Sequence, residues 1–144
     1  MMKYSKLMKD RIRRTSVLLK ELGYELFDEE RIEESYSCGF HHPESDAQGV
    51  FFIEKESKFL EIAYNFTFSP QFAPFIRKKM GEIIESSFEY GCYVNVFSDE
   101  NAVSFSVFSK LYFSGMNYAS MRDTLTDYHR CVQNLKELVL LHHS

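Results

Sequence analysis

From Phe59 to Phe68 the chain alternates apolar and polar side chains with a period of two. Leu60, Ile62, Tyr64, Phe66 and Phe68 fall on one side, with Glu61, Ala63, Asn65 and Thr67 on the other. Successive side chains of a strand point to opposite faces, so this segment predicts a strand with one buried face. Val50–Glu54 completes a hairpin with it around Lys55–Lys58. A second hairpin is predicted from Tyr93–Phe97 and Ala102–Tyr112, joined by the polar turn Ser98-Asp99-Glu100-Asn101.

The remaining periodic segments are helical. Leu7, Met8, Ile12, Leu18, Leu19 and Leu22 recur at helical spacing over residues 4–22, and Gly23 suits the left-handed position that closes a helix. Phe72, Phe75, Ile76, Met80, Ile83, Ile84 and Phe88 give an apolar face to a helix that begins between Pro70 and Pro74 and closes at Gly91. Met121, Leu125, Tyr128, Val132, Leu135 and Val139 step by four and three along a last helix, with Asn117 or Ser120 as its N-cap. Tyr24–Phe27 reads as a short strand and Ile32–Ser37 as part of another. The remainder of Asp28–Gln48 reads as loop, because acids and turn-forming residues break the pattern.

With one strand of the first group left open between Tyr24–Phe27 and Ile32–Ser37, the order is α-β-β-β-α-β-β-α. Hairpins separated by helices imply an α+β fold, a mainly antiparallel sheet with helices packed largely on one face. No repeat or linker divides the 144 residues, so one domain, 1–144, is expected. The order and size of these elements resemble the YbjN-like and type III secretion chaperone-like proteins. The resemblance rests on the first helix closed by Gly23, the strand pair Val50–Glu54 and Phe59–Phe68, the helix after Ser69-Pro70, the hairpin 93–112 and the long last helix. It implies a cytoplasmic, homodimeric, non-enzymatic protein that binds partner proteins as a chaperone or regulator. It carries over no individual functional residue.

Composition narrows the picture further. A net charge of −4 argues against a general nucleic-acid binder, which needs a basic surface. No run reaches the roughly 18 apolar residues of a membrane span, so no transmembrane segment is expected. Cys38, Cys92 and Cys131 are odd in number and scattered, which suits free thiols in a reducing compartment. Aromatic residues make up 16% of the chain. With Leu60, Ile62 and Tyr64 turned to the helices, Phe59 lies on the other sheet face. If Val94, Val96, Val103, Phe105 and Val107 point inward, Tyr93, Phe97 and Phe108 share that outer face with Asn95, Ser104 and Ser106. Exposed aromatic clusters mark interfaces, so Phe59, Tyr93, Phe97 and Phe108 are the candidate partner-binding residues. The plainer alternative is that the 28–48 segment or a helix covers them.

Two other chemistries compete. Residues 3–20 carry a local charge of +6, and Lys9, Arg13 and Arg14 would serve a polyanion, nucleic acid or anionic membrane; residues 21–61 carry −9. The plainer reading is a solvated helix face. Cys38, His41 and His42 cluster near Pro43, the beginning of a metal or thiol site, but the second ligand pair that zinc normally takes is missing. No GxSxG, HExxH or phosphate-cradling glycine loop is present. No catalytic residue, metal or cofactor is expected.

Overall fold

A computed structural model describes residues 4–141. Among them are three α-helices and six strands, in the order α1 (Lys6–Glu21), β1 (Glu25–Ile32), β2 (Ser35–His41), β3 (Gln48–Glu54), β4 (Phe59–Phe68), α2 (Ala73–Glu89), β5 (Tyr93–Ser98), β6 (Val103–Tyr112) and α3 (Tyr118–Lys136). The strands form one antiparallel sheet in the order β1-β2-β3-β4-β6-β5. The chain clusters into two compact units. The first runs up to Ile62 and takes in Lys110–Leu125; the second holds Ala63–Ser109 and the chain from Thr126 onward.

The α+β reading holds, with one strand more in the first group than the sequence suggested. Within the segment 28–48 only residues 42–47 and the turn Glu33-Glu34 lie outside strands: β1 and β2 form a tight hairpin through Glu33-Glu34, and β2 pairs with β3 in continuous register from Ser35↔Glu54 to His41↔Gln48. Two features concealed β1. Its side chains are almost all solvent-exposed, so it has no alternation to read. It also carries a bulge, where the register jumps from Phe27↔Gly39 to Glu30↔Ser37 and Asp28 takes φ 52°.

In the first unit, Tyr36, Cys38, Phe40, Phe51, Ile53, Leu60 and Ile62 form the buried sheet face. Met8, Ile12, Thr15 and Leu19 of α1, stepping by four, three and four, cover it together with Met121 and Leu125 of α3. Helix α1 starts at Ser5, whose Oγ accepts the Met8 N–H. It ends in a Schellman turn at Gly23 (φ 95°), where Gly23 N–H meets Lys20 O and Tyr24 N–H meets Leu19 O. Here His42 lies 2.8 Å from where a Cβ on Gly23 would stand.

In the second unit, Phe66, Val103, Phe105 and Val107 form the buried face, with Phe66 stacked on Phe105 at 4.6 Å. Tyr128, Val132, Leu135 and Val139 of the last helix are all buried against this core. With Met121 and Leu125 in the first unit, the whole predicted stripe is internal, so that stripe supplies no external contact. Asn117 is the N-cap: its Oδ1 accepts the Ser120 N–H while Ser120 Oγ accepts the Asn117 N–H, a reciprocal capping box.

The predicted face of α2 needs correction. Ile76, Ile83 and Ser87 are buried, whereas Ile84 is 55% and Phe88 83% exposed. The buried line follows the four-three-four step Ile76–Met80–Ile83–Ser87, and Ser87 is accommodated because its hydroxyl donates to Ile83 O at 2.8 Å. The helix closes in a second Schellman turn at Gly91 (φ 70°), with Cys92 N–H on Ser87 O. No helix among the described residues is long and apolar enough to cross a membrane.

Candidate interaction surfaces

The register of β5 with β6 sets the outer face of the second unit. Tyr93 pairs with Phe108, Asn95 with Ser106 and Phe97 with Ser104, so all six side chains share one side. Tyr93 is 53% and Phe97 62% exposed, and Phe108 is half-buried. Asn65 of β4 joins them: Ser106 Oγ donates to its Oδ1 at 2.8 Å, and its Nδ2 donates to Thr67 Oγ1 at 3.1 Å. The result is a short polar strip flanked by aromatic rings. Of the residues expected to point inward, Val94 and Val96 pair with Val107 and Phe105, but Val96 is 43% exposed because β5 is the terminal strand.

Phe59 belongs to the first unit and has different neighbours. Its ring meets Tyr112 edge-on at 5.8 Å, and Lys110 Nζ lies 4.4 Å over its face. Phe27, 46% exposed, leans over Gly39, where a Cβ would stand only 2.6 Å from its ring. Tyr112 and Phe27 are exposed aromatics that the sequence pattern did not mark, since one ends a strand and the other lies beside a bulge.

The basic first helix is partly committed to the fold. Arg14 donates to Met116 O at 2.8 Å; Arg11 donates to Ser57 O at 2.9 Å and lies 4.4 Å over the Phe113 ring. Arg13 is paired with Asp10 at 2.6 Å. Lys9 is exposed on this face, and Lys3 of the same run lies outside the described residues.

Cys38 and the histidines do not converge. Cys38 is 3% exposed on the inner face of β2, where its thiol donates toward Phe27 O at 3.4 Å. Burial pushes that thiol up from its ordinary pKa, the opposite of what an active nucleophile needs. Three positions along the strand, His41 points to the other face and bonds Asp46 at 2.8 Å. His42 Nδ1 instead accepts the Glu44 and Ser45 N–H groups at 3.2 and 3.3 Å, shaping the turn before β3. Among the described residues no group of three His, Cys, Asp or Glu is placed to hold a metal ion. Cys92 and Cys131, both buried, lie side by side; Cys92 donates to Cys131, and that bond with burial holds the proton on Cys92.

In the second unit a cleft of about 300 Å³ between α2 and the end of α3 is lined by Glu82, Glu85, Glu89 and Glu137, beside a Ser86–Asn134 hydrogen bond of 2.9 Å.

No protein-family model and no curated protein sequence matches this chain. Solved structures do. An uncharacterized protein from Methanothermobacter thermautotrophicus shares the fold with a TM-score of 0.74 at 15% identity, over 93% of this chain and 99% of its own. YbjN from E. coli, for which a role as a transcription regulator has been suggested, matches with a TM-score of 0.57 at 14% identity, over 85% of this chain and 88% of its own. At these identities the likeness is one of fold: the chain has a YbjN-like α+β fold.

Proposed function

We propose that this chain is a non-enzymatic, cytoplasmic protein-binding module, chaperone-like or regulatory, that acts as a homodimer. The observation that carries the reading is the outer face of the second unit. There Tyr93 and Phe97, each more than half exposed, lie beside Phe108 around the Asn65–Ser106 polar strip. Rigid aromatics with small hydroxyl and amide neighbours are the composition of a protein-binding surface, with anchors at the centre and a tolerant polar surround. The YbjN-like fold supports the same class of role by analogy of fold.

The test is affinity capture from native cell extract with the intact chain and with Phe97→Asp and Phe108→Asp, each checked for unchanged helical circular dichroism. Both substitutions should remove the captured partner. A partner retained by both variants would remove this face from the function.

A further inference from the structure

The first unit has an open sheet face of its own, and strand register builds a recess there. Cys38, Phe40, Phe51 and Ile53 turn to the core, so the alternate positions of β2 and β3 face away from the helices. Two rows cross three strands at those positions, Glu30↔Ser37↔Phe52 and Ile32↔Ser35↔Glu54. A serine at the middle of each row leaves a floor lower than its flanks. The result is a trough of about 270 Å³ lined by these six residues and Tyr36. The next row is closed, because Phe27 leans over Gly39.

The corners of the trough alternate in character. Glu30 and Glu54 stand on one diagonal, about 12 Å apart between Cα atoms at about 4.8 Å per strand and about 3.3 Å per residue. Ile32, 57% exposed, and half-buried Phe52 take the other. Glu54 is already turned across the floor, since Ser35 Oγ donates to its Oε2 at 2.6 Å. Among the described residues neither Glu30 nor Glu54 has an ion-pair partner. The nearest cations in sequence are committed elsewhere: Arg31 bonds Glu29 and lies over the Tyr4 and Tyr36 rings, and Lys55 bonds Glu34.

Two carboxylates over an apolar-walled recess match a cation on an aliphatic stem, the side chain of lysine or arginine. The surrounding face has the same balance. Its outward positions add Glu25 and Glu61 against Lys110, whose ammonium lies over the Phe59 ring, while Phe27, Val50 and Tyr112 add exposed apolar surface. Backbone chemistry fixes the form of the occupant. Strands β2 and β3 are interior, with ladder bonds to a neighbour on each side, so a segment laid on this face finds no backbone partners in them. The edge strand β1 is guarded by its acids and its bulge. The occupant must therefore satisfy its own backbone, as a helix does.

We propose that the outer face of the first unit docks a basic amphipathic helix of a partner protein, with one lysine or arginine side chain seated in the Glu30–Glu54 trough. The surface shares no residue with the Tyr93–Phe97–Phe108 face and stands or falls independently of it.

Fluorescence anisotropy of the intact chain with two synthetic helical peptides of about 18 residues, five turns, tests it. One peptide is built of leucine and lysine, the other of leucine and glutamate in the same pattern. The leucine/lysine peptide should bind with a Kd of about 1–100 µM and the leucine/glutamate peptide about 100-fold more weakly. Glu30→Lys with Glu54→Lys should reverse that preference, and Ile32→Asn should weaken the leucine/lysine peptide about tenfold. A lysine-only peptide of equal length should also bind about tenfold more weakly, because it brings no apolar face. Asp123→Lys with Asp127→Lys on α3 makes the same change in net charge away from the trough and should leave binding unaltered. All these positions are exposed, so circular dichroism should not change. Equal losses from the two charge reversals would overturn the trough, and so would binding indifferent to Glu30 and Glu54. A lysine-only peptide that binds as tightly as the leucine/lysine peptide would assign the face to cations alone and overturn the helical partner. Absence of leucine/lysine binding up to about 1 mM would overturn the whole proposal.

Discussion

Replacing Tyr36 with Phe should reveal how the bulged β1–β2 hairpin is held. Tyr36 is 2% exposed, packs against Phe51 at 5.8 Å and donates its phenol to Glu29 Oε2 at 2.5 Å. Glu29 is one of the two residues pushed out of register by the bulge, so this bond ties the bulge to the core. The volume change is one oxygen, and the loss is a hydrogen bond to a carboxylate that is 51% exposed. Solvent takes up most of the carboxylate's lost interaction, so the cost should be about 1 kcal/mol rather than the larger value of a buried charged bond. Glu29→Ala should cost more, about 1–3 kcal/mol, because it takes the carboxylate acceptor from a buried hydroxyl.

The pH dependence gives the sharper check. The Tyr36 hydrogen bond holds the Glu29 carboxyl below its ordinary pKa of 4.5. A depressed folded-state value stabilises the fold above the unfolded pKa, and that contribution fades as pH falls through the lowered value. Burial, followed by the Glu29 bond, raises Tyr36 well above its ordinary 10.0. That contribution is present below about pH 10 and is lost as pH rises beyond it, when the unfolded phenol ionises. Urea denaturation of wild type and Tyr36→Phe should therefore differ most between about pH 5 and 9, with the gap narrowing toward pH 3 and again above pH 10. A gap of the same size at pH 3 and pH 7 would refute the reasoning. Strict additivity of Tyr36→Phe and Glu29→Ala would refute it as well, since bonded partners must couple.

On the last helix, Leu135→Ala, fully buried, should cost about 2–5 kcal/mol, whereas Ile84→Ala on the exposed flank of α2 should change chain stability by no more than about 0.5 kcal/mol. Thermal and urea unfolding at a concentration where the chain is monomeric separate the two. Glu33 holds φ 51° in the two-residue turn of the first hairpin, so Glu33→Asn, which tolerates the left-handed region, should stabilise by a few tenths to about 1 kcal/mol. A loss of stability in urea would show that the Glu33 side chain has another role. Cys38, Cys92 and Cys131 are all buried; burial holds the Cys38 thiol protonated, and the bond to Cys131 together with burial does the same for Cys92. Labelling with a disulfide reagent at pH 8 should therefore be slow and track unfolding, and rapid reaction of one thiol in the folded chain would contradict the packing.

Sequence periodicity placed elements well where one face was buried and poorly where neither was. The Met121–Val139 stripe and the Leu60–Phe68 alternation are legible because each packs a single face on a core. Strand β1 has no such face, and its acids at Asp28, Glu29, Glu30 and Glu33 read as loop. They belong to an edge strand, where charge prevents strand addition rather than marking irregular chain. Alternation also assigned Tyr93, Phe97 and Phe108 to one side, because register parity along a hairpin is fixed once its turn is known. Parity could not say that Phe59 would find Lys110 and Tyr112 as neighbours, since those contacts depend on strand order, which a sequence does not print.

The error on α2 is the more instructive one. Counting apolar residues drew Ile84 and Phe88 into the core face, where the four-three-four step from Ile76 selects Ser87 instead. A strict stripe leaves two large apolar side chains without a place inside, and that surplus is itself information. The order of charges on the same helix says more: bases first and acids last work against the helix that bears them.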